Sequence, residues 1–106
     1  MQVDYFKTVS SIISLMKQPN SPCKDVSSHW TCYSLLFKYL VENNIPFSME
    51  AAFDWLEIKK EEVSHASISG YTNALFRLEH YILFGNLVSN PLCYWDSTFW
   101  KNPSQN

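Results

Sequence analysis

Apolar residues recur at three- and four-residue steps through four stretches of this chain, and the gaps between them are polar or broken by proline. In the first stretch Phe6, Val9, Ile13 and Met16 share one face while Ser10, Ser11 and Ser14 line the other. This predicts a helix from Met1 to Lys17 with Asp4 as its N-cap. Pro19, Asn20, Pro22 and Asp25 make 18–26 a loop. Ser27 or Ser28 then opens a second helix reaching Asn43, with a stripe of Trp30, Tyr33, Phe37, Leu40 and Val41 and with Leu36 at its flank. Asn43-Asn44 and Ile45-Pro46 stop it. Ser48 caps a short third helix whose inner face is Met49, Ala52, Phe53 and Leu56 and which fades near Lys59. A charged connector, Lys59-Lys60-Glu61-Glu62, leads to a fourth helix starting near Ser67, with Ile68, Tyr71, Leu75, Leu78 and Ile82 on one face and Gly85 as its stop. Gly70, inside its first turn, costs about 1 kcal/mol relative to alanine.

Four helices joined by short polar links, with only two glycines in 106 residues, predict a single all-α domain over 1–91. Residues 92–106 are then a C-terminal aromatic segment or interdomain linker, since Leu92 to Trp100 carries Tyr94, Trp95, Phe99 and Trp100. The net charge of −2 and the single arginine, Arg77, count against a simple phosphate-neutralising surface. Three cysteines without framework spacing suit a reducing, cytoplasmic setting. Asp4 and Lys7 interrupt any signal-peptide core, and no apolar run approaches the roughly 18–20 residues of a membrane span.

Two phrases in this order carry a resemblance. Tyr33, Phe37 and Leu40 followed by Glu42-Asn43-Asn44-Ile45 form the first. The second is Ser67 to Gly85 with its exit Leu87-Val88-Ser89-Asn90-Pro91. Together they resemble the second and fourth helices of the core-binding (SAM-like, N-terminal) domain of phage integrases and other tyrosine recombinases, over roughly Val3 to Pro91. The resemblance implies four helices packed as two crossed hairpins, gripping duplex DNA while a catalytic domain closes the other face. It implies DNA contacts from Ser67, Ser69, Asn73 and Arg77 on helix four; Gly70, by the backbone access it allows, and Lys38, Lys59 and Lys60, by their charge, complete the candidate DNA-binding set. On helix two, His29, Thr31, Ser34 and Lys38 lie off the apolar stripe and are the weaker set. The chain departs from the family where a threonine usually opens helix four, here Ser67, and where basic residues often follow, here Ser69 and Gly70.

The residues themselves give this reading a physical basis. A helix N-terminus with serine hydroxyls and free amides suits phosphate, Gly70 admits close backbone approach, and Asn73 and Arg77 are suited to adenine and guanine edges. The plainer reading of the same residues is the wet face of an amphipathic helix. No cofactor is expected. Cys23, His29 and Cys32, with Cys93 or His65, have the ligand types for zinc but no paired Cys-x2-Cys, and Cys32 reads more simply as a buried small residue. One arginine does not furnish a recombinase active site, so no catalysis is expected from this chain, Tyr94 included. The expected partners are duplex DNA and a catalytic recombinase domain in cis. The rival reading is a small acidic helical module, or a recombinase regulator, that binds another protein through Trp95, Phe99 and Trp100.

Overall fold

The computed structural model describes residues 4–91, and among these the secondary structure is wholly helical: α1 (Tyr5–Met16), α2 (Val26–Glu42), α3 (Met49–Lys59) and α4 (His65–Phe84). Each helix begins on a side-chain cap. Asp4 accepts from the Lys7 amide, Asp25 from Ser28, Ser48 from Ala51 and Ser64 from Ser67. The second cap differs from the expected Ser27 or Ser28. Asp25 reaches the free amide of Ser28 first, so both serines lie inside the first turn. The fourth helix likewise starts one turn-fraction earlier than Ser67, on Ser64. Gly85 ends it at φ 75°, its amide bonded to the Tyr81 carbonyl at 2.7 Å.

Contacts between named residues give the helix directions. Tyr5 and Phe6 at the start of α1 meet Phe37 late in α2. Phe53 and Trp55 of α3 meet Phe76 and Tyr71 of α4 respectively. Both pairs are antiparallel hairpins. The hairpins join through α2 and α4, also antiparallel: Cys32 faces Tyr71, Tyr33 faces Ala74 and His29 faces Arg77. α2 and α4 each touch all three other helices and together form the centre of the fold.

The core is Tyr5, Val9, Ile12 and Met16 from α1, Cys32, Tyr33, Leu36 and Leu40 from α2, Met49, Ala52, Phe53, Trp55 and Leu56 from α3, and Ala74, Leu75 and Leu78 from α4. Three expectations are corrected here. The buried face of α1 runs through Tyr5 and Ile12, and Phe6 is 67% exposed. α2 buries His29, Cys32, Tyr33, Leu36 and Leu40, leaving Trp30, Phe37 and Val41 at 50%, 44% and 61% exposure. α4 buries Ala74 and Glu79 beside Leu75 and Leu78, while Ile68, Tyr71 and Ile82 of the expected stripe are half-buried, as is His80 with its Nε2 3.0 Å from Asn86 Oδ1.

Two tyrosine hydroxyls cross the core. Tyr5 donates to the Tyr33 carbonyl at 2.6 Å and Tyr33 donates to the Ala74 carbonyl at 2.7 Å. Burial pushes both phenols, and the Cys32 thiol, well above their ordinary values, so all three stay neutral donors. The two bonds tie α1 to α2 and α2 to α4 by polar contacts of fixed geometry, which sets the register of the central packing.

Candidate nucleic-acid interface

The expected DNA-facing residues of α4 divide into two groups. Ser69 and Asn73 are exposed and one turn apart, with Gly70 half-buried beside them. Ser67 sits at the helix entrance, its amide on Ser64 Oγ at 3.3 Å and its hydroxyl accepting from the same oxygen at 3.3 Å. Ala66, one turn before Ser69 and Gly70, is exposed as well. The first half of α4 therefore presents a shallow face of small and polar side chains. A methyl group built on Gly70 meets nothing within 4 Å, so packing within the chain does not require the glycine.

Arg77 belongs to the second group. Its Nε donates to the Val88 carbonyl at 3.2 Å and a terminal nitrogen donates to the Ser89 carbonyl at 2.7 Å. The other terminal nitrogen is 2.9 Å from His29 Nε2. The spacing of α4 implies an outward donor fork; the guanidinium instead clasps the segment that leaves α4 and fastens it to α2. His29 is 3% exposed, with Nδ1 2.8 Å from the Asp25 carbonyl. The two contacts define its state: Nδ1–H donates to Asp25 and Nε2 accepts from Arg77, a neutral imidazole. Burial chiefly, with the Arg77 charge assisting against the opposing pull of Asp25, holds its pKa below the ordinary imidazole value. Cys23 Sγ lies 4.0 Å from the same Nε2.

The lysines form a separate set. Lys38 and Lys59 line a groove between α2 and α3, together with Glu42 and Glu62. Lys59 pairs with Glu62 at 3.0 Å and Lys60 with Glu57 at 2.5 Å. Lys38 stands nine residues after His29, about two and a half turns, so it lies on the side of α2 opposite the Arg77 clasp. A single basic surface of Lys38, Lys59, Lys60 and Arg77 is therefore not what the fold builds. Of the weaker set on α2, Thr31 is exposed and bonds the Ser27 carbonyl, Ser34 is exposed within an apolar groove, and His29 is buried.

Among the described residues no three potential ligands converge on a metal site. The Cys32 Sγ lies 3.9 Å from the Tyr71 carbonyl. Cys93 lies outside the described residues, as do Trp95, Phe99 and Trp100. No helix among the described residues is long and apolar enough to cross a membrane. Compared with known proteins, the chain matches no family model, no curated protein and no solved structure.

The His29–Arg77 clasp was not visible as a site in the sequence, but one signal was present. A lone arginine among seven lysines marks a position where a planar, multidentate donor is needed and a point charge does not serve.

Proposed function

We propose that this chain is the DNA-holding, core-binding part of a tyrosine recombinase, with a SAM-like arrangement of its two hairpins, and that it positions duplex DNA without cutting or joining it. The observation that carries the reading is the open face of Ser69, Gly70 and Asn73 on α4. A helix-interior glycine costs stability, and here no internal neighbour demands it, which is accounted for by a surface outside the chain approaching the α4 backbone closely. The helix N-terminus contributes partial positive charge beside Ser67. Asn73 supplies the side chain suited to a base edge. Arg77 acts indirectly in this reading: by holding Val88 and Ser89 it fixes the direction in which the chain leaves toward a catalytic domain. Lys38, Lys59 and Lys60 add long-range attraction only.

Fluorescence anisotropy with short duplex DNA, at low and moderate salt, tests this. Binding is expected to be weak and salt-sensitive, and to fall at least tenfold with Ser69→Glu, an exposed change that places a negative charge on the proposed contact face. Asn73→Ala should weaken it less. Absence of binding at low salt, or binding indifferent to Ser69→Glu, overturns the reading in favour of a protein-interaction module.

A further inference from the structure

α2 carries a second stripe besides its buried one. Trp30, Ser34, Phe37 and Val41 are all exposed and follow one another at steps of four, three and four residues, the spacing of a helix–helix seam. Beside Ser34 the surface opens into a groove of about 150 Å³ walled by Tyr5, Val9, Trp30, Tyr33 and Phe37. With Phe6 of α1 these exposed side chains present on the order of 400 Å² of apolar surface, comparable to the largest apolar patch of an ordinary monomer, which is often a functional one.

We propose that this face is the seam of an isologous dimer between two copies of the chain. The sizes of the four residues carry the choice of partner. Place a two-fold axis midway between positions 34 and 37, with the two α2 helices antiparallel. Trp30 then falls opposite the second copy's Val41, and Ser34 opposite its Phe37. Large meets small at every step, as a self-complementary interface requires. Each Phe37 ring enters the other copy's groove beside Ser34, a space that holds a benzene-sized group. The axis also keeps the two Lys38 side chains apart, displaced by about five residues or ~7 Å along the seam. The apolar area amounts to about half of the ~800 Å² each partner contributes to a standard interface, so it forms the dry centre of one, with Ser10, Thr31 and Lys38 in the rim. The dimer does not depend on the DNA-holding role.

Sedimentation equilibrium of the full chain, from micromolar to sub-millimolar concentration, tests this, with far-UV circular dichroism confirming that each variant folds. Wild type is expected to show a reversible monomer–dimer equilibrium. Ser34→Arg, an exposed substitution that places a charge in the seam, should leave a folded monomer. Phe37→Ser, which removes the ring that fills the other copy's groove, should weaken the dimer at least tenfold. A wild type that stays monomeric throughout overturns the proposal and assigns the face to another occupant. So does a dimer unaffected by Ser34→Arg. A dimer that Phe37→Ser leaves unweakened overturns the two-fold pairing.

Discussion

His29 and Arg77 show how much of this structure rests on the placement of single side chains. The imidazole is buried and neutral, with both ring nitrogens engaged, and Nε2 accepts from a guanidinium. Protonation would set a donor against a donor and a charge against a charge. The native state therefore binds this proton less readily than the unfolded chain does, whose imidazole titrates near the ordinary value of about 6.5. Stability from His29 is fully present above that value and is lost as pH falls below it, through the depressed folded pKa. Urea midpoints at about pH 7.5 and about pH 5.5 should show this loss in wild type and a smaller loss in His29→Gln. Parallel pH dependence in the two proteins would sink the argument. This contact was not legible in the sequence. His29 and Arg77 are 48 residues apart, and a buried histidine is indistinguishable from a solvated one until the packing of α2 on α4 is known.

At the scale of the element, existence was legible and rotation was not. Caps at Asp4 and Ser48, the proline-broken loop and the Gly85 stop all lie where the pattern put them, because each depends on local chemistry alone. Which face turns inward depends on neighbours. α1 offers two adjacent apolar pairs, Tyr5-Phe6 and Ile12-Ile13, so the sets 5, 9, 12, 16 and 6, 9, 13, 16 fit the helical period equally. α2 is apolar around more than half its circumference, and its inner face includes His29 and Cys32, which the pattern ranks as polar or small. The two glycines illustrate the same division. Gly85 has a positive φ that alanine adopts only with strain, so Gly85→Ala should destabilise by about 1–2 kcal/mol. Gly70 is helical with open space where a methyl group would stand, so Gly70→Ala should stabilise by about 0.5–1 kcal/mol. Denaturant titration reads both. If Gly70→Ala is destabilising, the open face of α4 is not as described. If it stabilises the fold while weakening DNA binding, the glycine serves the interface.

For the whole molecule the decisive quantity is charge. A formal net charge of −2 sets DNA binding against long-range repulsion, and the fold neutralises its cations further: Lys59 and Lys60 each lie against a glutamate, and Lys38 shares its groove with two. Exposed pairs of this kind contribute only about 0–1 kcal/mol to stability, so their removal is tolerable, whereas their effect on a polyanion is not small. E57Q/E62Q removes two negative charges, bringing the formal charge from −2 to 0 and freeing both lysines. If α4 holds duplex DNA with these lysines at its margin, the double variant should bind more tightly at low salt. Each lysine that newly reaches a phosphate should steepen the dependence of log K on log salt by about 0.9. Tighter binding with an unchanged slope would mean that the lysines act at a distance, through the overall field. No change in either would place them away from the DNA, leaving the α4 face of Ser67, Ser69 and Asn73 to hold it.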